Sequence, residues 1–228
     1  MRTLTGLLVV ALLVPALAGA ANGEPKKALT KKDQATAHSV VVKRSDLGQG
    51  FTAMARDKNQ TLPKGARCGP LDESDLTVTG DAASPDFRLA QQTAFVTVGS
   101  TAQVYRTLGE ANASWSRGTT SQTTTCLADI VRLSASPGQQ ITVLSATRVK
   151  FPSVSPKTTA YRLVLTIKMG AQQVRAYVDA VVLQHDRIQA GILFTSLGRP
   201  VDQAQRVALA SVVAARLAKA TRPTGPVA

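Results

Sequence analysis

The chain is poor in histidine, cysteine and tryptophan, with two, two and one of these among 228 residues. A structural zinc site needs about four clustered Cys and His ligands, and two Cys and two His scattered along the chain cannot supply one. The sequence also lacks the Gly-x-Ser-x-Gly elbow of serine hydrolases, the Ser-x-x-Lys of penicillin-recognising enzymes and the phosphate-binding loop. We therefore expect no catalytic, cofactor-binding or metal-binding residues, no cofactor and no enzyme activity.

Acidic residues are few as well: 14 Asp and Glu stand against 27 Lys and Arg, a formal net charge of +13. One interpretation is a secreted protein whose charge serves solubility or follows genomic bias. The alternative is attraction to an anionic partner such as cell-wall polymer, phospholipid or nucleic acid. Nucleic acid is not expected, because the chain shows no Arg, Gly and aromatic signature of such binding.

No apolar run reaches the roughly 20 residues that cross a bilayer. The run from Leu7 to Leu17 follows Arg2 and precedes small-residue cleavage patterns at 16–18 and 18–20. This order is typical of a secretory signal peptide. No cysteine follows it, which argues against a bacterial lipid anchor. The sequence predicts a signal peptide over residues 1–20 and a secreted, extracellular protein without a stable membrane span.

The two cysteines, Cys68 and Cys126, fit a secreted chain with one disulfide. A thiol nucleophile or metal ligand would need a histidine partner, and neither His38 nor His185 stands at a ligand spacing. Closing so long a loop stabilises a fold by roughly 4 kcal/mol in the chain-entropy model. We predict a Cys68–Cys126 bond that holds the polar segment around Cys68.

The first half of the chain predicts short, mixed elements. A helix over residues 31–42, capped by Thr30, precedes a short strand at 51–55. Residues 57–85 are polar and rich in Gly and Pro, which indicates a surface loop. A strand is predicted at 87–98. The residues expected to face inward on the first helix are Ala35, Ser39 and Val42.

A second helix is predicted from Ser100 to about Trp115, followed by a short helix that carries Cys126. The apolar face of the second helix is Val104, Leu108, Ala111 and Trp115. On this face Trp115 is interpreted as a core anchor rather than a ligand platform.

The second half predicts an antiparallel meander followed by a helix. Strands are expected at 141–151, 161–169, 174–183 and 188–197, and Tyr161, Leu163, Leu165 and Ile167 alternate with polar neighbours. Pro200 suits a first helical turn, and 201–218 is expected to be a long helix. Its buried stripe is predicted to be Val201, Ala204, Ala208, Val212 and Ala215, widened by Leu209, Val213 and Leu217.

These elements predict an α+β fold, with a single, mostly antiparallel sheet, flanking helices and a long C-terminal helix. The expected organisation is a signal peptide at 1–20, then a flexible leader and the start of the first helix at 21–37. A single α+β domain at 38–220 and a disordered tail at 221–228 complete it.

Asp72, Glu73 and Asp75 form the densest acidic cluster. Since two carboxylates suffice for glycoside hydrolysis, one interpretation is a hydrolytic pair or a cation site. The favoured interpretation is a solvated loop. Glycosylation triplets at Asn59 and Asn112 are common by chance and are discounted.

The order of elements over about residues 40–219 is similar to that of a known protein family. It begins near the segment Asp46-Leu47-Gly48-Gln49-Gly50-Phe51. It ends with the last strand, Gly198-Arg199-Pro200 and an Ala/Val-rich helix. It resembles actinobacterial secreted sensor-like proteins, including PknH-type extracellular domains, and more broadly PsbP/Mog1-like sandwiches. The resemblance implies an α+β ligand-binding or sensing domain without catalysis. PknH-type domains usually carry two disulfides, whereas this chain can form one.

The leading hypothesis is a secreted, non-enzymatic ligand-binding or sensor-like domain at the cell envelope, whose partner is an unknown envelope ligand. The alternative is a basic adhesion protein that binds anionic wall polymer or phospholipid. An envelope hydrolase is the third and least favoured hypothesis.

Overall fold

A computed structural model of the chain describes residues 23–56, 65–91 and 94–222. The predicted signal peptide, the loop residues 57–64 and tail residues 223–228 lie outside the described residues. The helices are α1 (Lys31–Val40), α2 (Leu108–Gly118), α3 (Gln122–Leu133) and α4 (Gln203–Ala220). The strands are β1 (Lys26–Lys27), β2 (Thr52–Met54), β3 (Thr77–Ala83), β4 (Asp86–Gln91), β5 (Ala94–Tyr105), β6 (Gln139–Val149), β7 (Lys157–Met169), β8 (Gln172–His185) and β9 (Ile188–Leu197).

The nine strands of the described part form one sheet in the order β1-β3-β5-β9-β8-β7-β6, with β4 beside β5 and β2 beside β4. Each pairing is antiparallel apart from the short parallel contact of β1 with β3. The prediction of an α+β fold with one mostly antiparallel sheet and a C-terminal helix is confirmed.

The alternation predicted for β7 is confirmed, and its apolar residues lie on the face that packs against α3. Tyr161, Leu163, Leu165 and Ile167 are buried and pack with Leu127 and Val131 of α3, whereas Lys168 is exposed. Because side chains alternate along a strand, the intervening residues point to the opposite face. We call these the α3 face and the α4 face of the sheet.

The α4 face carries the larger core. Ala160, Val181, Ile192 and Phe194 of the sheet cluster there with residues of α1 and α4. Helices therefore pack on both faces of the sheet, whereas the sequence indicated packing on one.

Helix α4 begins later than predicted, and of its predicted stripe it buries Leu209, Val213 and Leu217. It starts at Gln203, beyond Pro200, with Asp202 as its N-cap. The predicted positions Ala204, Ala208, Val212 and Ala215 are exposed, and the buried residues are Arg206, Leu209, Ala210, Val213, Ala214 and Leu217. Leu209, Val213 and Leu217 are the large apolar side chains of the buried face, and each buries more apolar surface than an alanine.

Helix α1 has the predicted Thr30 cap, whose hydroxyl accepts from the Asp33 N–H at 3.1 Å. Its predicted inward face is wrong: Ala35 and Ser39 are exposed, and the helix buries Asp33, Ala37 and Val40. Val42 is buried but follows the helix end. Asp33 can lie inside because Arg187 and Thr79 bind its carboxylate.

The predicted surface loop at 57–85 contains a buried strand. In β3, residues Thr77 to Gly80 are buried between β1 and β5, and a Cβ on Gly80 would lie 2.2 Å from the Asp33 carbonyl oxygen. The segment predicted to be a flexible leader contains β1, whose Lys26 donates its N–H to the Leu76 carbonyl.

The helix predicted from Ser100 is wrong over its first turns. Strand β5 continues through Ser100 to Tyr105, and its pairing with β9 runs without interruption from the Phe95–Leu197 pair to the Val104–Ile188 pair. Helix α2 begins at Leu108, where Thr107 and Glu110 form a capping box. The predicted strand at 87–98 is the two strands β4 and β5.

Candidate functional site

A cleft of 360 Å³ opens where β6 ends and β7 begins. The two strands are held in register there by the Val149–Ala160 pair. The cleft is lined by Arg148, Val149, Lys150, Phe151, Thr158, Thr159 and Ala160. Small-molecule sites in proteins typically have volumes of roughly 300–1,000 Å³, so this cleft is large enough for a small ligand.

The cleft is positively charged. Arg148 and Lys150 are both exposed, neither forms an ion pair with a carboxylate of the described residues, and none of the walls is acidic. Burial raises the pKa of Tyr161, and the positive charge of nearby Arg148 opposes that rise. This arrangement suits an anionic ligand group.

Hydrogen bonds hold the rim of the cleft. The Thr158 hydroxyl accepts from the Ser155 N–H at 3.1 Å and lies 3.2 Å from the Ser155 carbonyl oxygen, to which it donates. The Ser155 hydroxyl donates to the Gln184 carbonyl at 2.8 Å. Phe151 is half-buried and packs against the core on the α4 face. The cleft therefore combines an ordered rim, an aromatic wall and two free cations.

Trp115 lies beside this end of β7 rather than in the core. Its side chain is half-buried, and the Lys157 ammonium lies 5.8 Å from its ring centroid. Lys157 also donates to Asn112 Oδ1 at 2.5 Å, and Gln184 donates to the same oxygen at 2.9 Å. The side chain of Asn112 is thus engaged within the fold.

The acidic cluster is divided between the interior and the surface. Glu73 is buried, with its carboxylate bound by the Ser114 hydroxyl and 3.2 Å from the Tyr105 hydroxyl. Asp75 is exposed and pairs with both terminal nitrogens of Arg117, which holds the pKa of Asp75 at about 2. The solvated-loop interpretation is therefore wrong for Glu73.

A polar network continues from Glu73 beneath α2. The Tyr105 hydroxyl lies 2.8 Å from Ser114 Oγ and 3.1 Å from Gln103 Oε1, and Gln189 donates to the Ala111 carbonyl at 2.7 Å. Burial is the main cause of the raised pKa of Glu73, and the two hydroxyls only partly offset it. The network seats α2 on the sheet.

Replacing Glu73 by glutamine is expected to stabilise the fold at pH 7. Because the folded-state pKa of Glu73 is raised, the folded chain binds the proton more tightly than the unfolded chain. The stability contributed by protonated Glu73 is fully present below the unfolded pKa of roughly 4.3 and is lost as the pH rises through the folded pKa. Guanidinium unfolding of wild type and E73Q at several pH values measures the difference.

The gain in E73Q should shrink toward zero at acid pH, where glutamate is protonated in both states. Asp75→Asn is the opposite control, because the lowered pKa of Asp75 makes its contribution present at neutral pH and lost on acidification. An E73Q variant less stable than wild type at pH 7 would show that the ionised carboxylate is needed beneath α2.

The predicted disulfide is present. Cys68 and Cys126 are bonded with their Cα atoms 4.8 Å apart, within the usual 4.4–6.8 Å. Both residues are buried and pack with Leu71 and Ile130. Next to them, Arg67 donates to Asp129 at 2.6 Å and, as the main cause, holds the pKa of Asp129 at about 2. The bond therefore ties the segment after residue 64 to α3.

The described residues contain no group of three or more His, Cys, Asp or Glu side chains that could hold a metal ion. His38 is exposed on α1, and His185 is half-buried at the end of β8. In the same part of the chain, every helix is too short or too polar to span a bilayer. Sequence reasoning did not single out Arg148 and Lys150, although two cations flanking one valine at a strand end could have indicated an exposed rim.

No family model matches the sequence, and no curated protein matches it. Among solved structures, the chain is similar to the extracellular domain of PknH from Mycobacterium tuberculosis, at 10% identity and a TM-score of 0.45, over 82% of this chain and 96% of that one. It is also similar to LpqN, involved in cell envelope biogenesis of M. tuberculosis, at 10% identity and a TM-score of 0.30, over 77% of this chain and 86% of that one. This similarity is distant and structural, and it carries no function to this chain.

Proposed function

We propose that this chain is an extracytoplasmic, non-enzymatic ligand-binding or sensor-like domain that holds an anionic ligand of the cell envelope in the β6–β7 cleft. The cleft supports the proposal, because two exposed cations without acidic partners stand at the rim of a ligand-sized volume. Arginine and lysine recognise phosphate and carboxylate through charge-assisted hydrogen bonds. The half-buried Phe151 provides an apolar contact for the rest of the ligand.

The proposed location rests on two independent features. Residues 1–20 have the order of a signal peptide, and a buried disulfide is typical of proteins that fold in oxidising compartments. The proposed mature chain has one α+β domain over 38–220. A hydrolase is not favoured, because Glu73 is buried in the network under α2 and Asp75 is paired with Arg117.

Native mass spectrometry of protein purified from its own secretion medium tests the proposal. We expect a chain that begins at Gly19 or Ala21, with additional mass from an anionic compound. The variant R148E/K150E should lose that compound, because it reverses both charges at the cleft. The matched control K31E/K32E makes the same change in net charge on two exposed lysines of α1 and should retain it. An intact Met1 on cytoplasmic protein would contradict the location.

A direct titration complements the search for a retained compound. Phenyl phosphate carries a dianion and an aromatic ring, and we expect it to shift the NMR amide signals of Phe151, Thr158 and Ala160. Binding to R148E/K150E should be at least about tenfold weaker, equivalent to 1.4 kcal/mol. Equal binding of phenyl phosphate to wild type and to R148E/K150E, or signal shifts scattered over the whole surface, would place the anion elsewhere. Either result would refute the cleft as the binding site.

A further inference from the structure

Within the described residues, the α4 face of the sheet is exposed along β6 from Thr142 to Thr147, whereas Val149 and Ala160 nearer the cleft pack in the core of that face. Helix α4 packs on β8 and β9, α1 packs on β3 and β5, and α3 contacts β6 and β7 from the opposite face. On β6 the side chains of Thr142, Ser145 and Thr147 are exposed. An exposed sheet face with three hydroxyl side chains in a row is available to an extended partner.

The register shows which neighbours share this face. Ser145 pairs with Val164 and Thr147 with Arg162, while Thr166 pairs with Arg175 across to β8. Directly paired residues of antiparallel strands project from the same face. We call this surface the open strip: its β6 part runs from Thr142 to Thr147, its β7 part from Arg162 to Lys168, and its β8 part holds Arg175 and Tyr177.

The open strip is positive at both ends. Lys168 and Arg175 are exposed, form no ion pair with a described carboxylate, and stand on diagonal positions roughly 7–8 Å apart. Arg162 lies six residues earlier on β7, about 20 Å away at about 3.3 Å per residue. Beside Arg162, the buried carboxylate of Asp179 is shared by Arg162 and Arg206, so that cluster of two cations and one anion keeps a net positive charge.

We propose that the open strip docks an extended polyanion, a chain of repeated phosphate or carboxylate groups joined through sugar or polyol units. The cations at its two ends can contact anionic groups several repeats apart, while the hydroxyls and the half-buried Tyr177 between them can contact the neutral units. A bilayer surface fits less well, because among the large apolar side chains described as exposed only Leu144 lies on these three strands. This surface lies outside the cleft and takes a polymer rather than a single small anion.

Binding of poly(glycerol phosphate) to the secreted chain tests the proposal, with glycerol 3-phosphate as the monomeric probe and phosphatidylglycerol vesicles as the lipid probe. At about 0.15 M salt, charges farther apart than roughly 8 Å are largely screened, so only cations near the polymer should contribute strongly. The variant K168E/R175E is expected to bind the polymer at least about tenfold more weakly than wild type. The control K31E/K32E carries the same charge change on α1, whose Asp33 binds Arg187 just beyond the end of β8 that is opposite to Arg175. This control should lose less than about threefold.

Each outcome has a defined meaning. A selective loss of polymer binding in K168E/R175E, together with weak binding of glycerol 3-phosphate, supports the open strip as the polymer site. This result is independent of whether R148E/K150E changes the binding of phenyl phosphate. Equal losses in K168E/R175E and K31E/K32E would show unspecific attraction and overturn the proposal. The absence of polymer binding by wild type, or tighter binding to vesicles than to polymer, would also overturn it. Circular dichroism and thermal unfolding show whether each variant is folded before its binding is compared.

Discussion

Replacing Asp179 by alanine is expected to lower the free energy of unfolding by about 3–5 kcal/mol, as breaking one partner of a buried ion pair generally does. Asp179 is buried on β8, and its Oδ1 accepts from Arg162 Nε at 2.7 Å and from Arg206 Nη1 at 3.1 Å. Burial lowers the pKa of the Arg206 guanidinium, whose positive charge the Asp179 carboxylate compensates. Without Asp179, α4 would place an uncompensated charge against the sheet. Guanidinium unfolding monitored by circular dichroism measures the loss.

The double variant D179A/R206M is the control for this prediction. It removes the buried positive charge together with the carboxylate, and an apolar side chain takes the place of Arg206. We expect it to be more stable than D179A alone, since Arg162 is only half-buried and can reach solvent. A D179A variant that loses less than about 1 kcal/mol would show that water reaches the pair and that α4 does not depend on it.

Removing the disulfide is expected to cost about 2–5 kcal/mol of unfolding free energy. The bond joins residues 58 positions apart, and closing such a loop accounts for roughly 4 kcal/mol in the chain-entropy model. Its loss also frees the segment around Cys68 from α3, where both cysteines pack with Leu71 and Ile130. The variant C68A/C126A, compared with wild type in guanidinium, measures the effect.

Thiol chemistry supplies the control for the disulfide prediction. Dithiothreitol in denaturant should bring the unfolding of wild type close to that of C68A/C126A, and it should not affect the variant. Two free thiols in native secreted protein would refute the bond. A variant as stable as wild type would mean that packing around Leu71 and Ile130, without the covalent link, holds this region.

The β7–β9 meander was predictable because β7 alternates apolar and polar residues, β8 and β9 are apolar runs of strand length, and the turns between them are short. Burial of one face dictates period-two alternation, and local residues are sufficient to show it. Strand β3 was missed because its residues, Thr77 to Ala83, include polar and small side chains that look like a loop. It is a strand because β1 and β5 pair with it from both sides.

The candidate site was less predictable than the fold. Sequence reasoning identified the disulfide but placed Glu73 in solvent, since nothing local shows that Ser114 and Tyr105 bind its carboxylate. Likewise, the net charge of +13 does not show where unpaired cations collect. Arg148 and Lys150 form a site because the end of β6 meets the start of β7 around a cleft.

The sequence by itself determined the α+β class, the apolar faces of the meander and the pairing of two cysteines, because these follow from local periodicity and composition. Only the tertiary structure decided which charges are paired. Arg216 binds Asp46 at 2.5 Å and Arg187 binds Asp33 at 2.6 Å, although 170 and 154 positions separate the partners. Such long-range pairs occupy many of the few Asp and Glu side chains. Arginines and lysines beside the β6–β7 cleft and on the open strip are therefore left without an acidic partner.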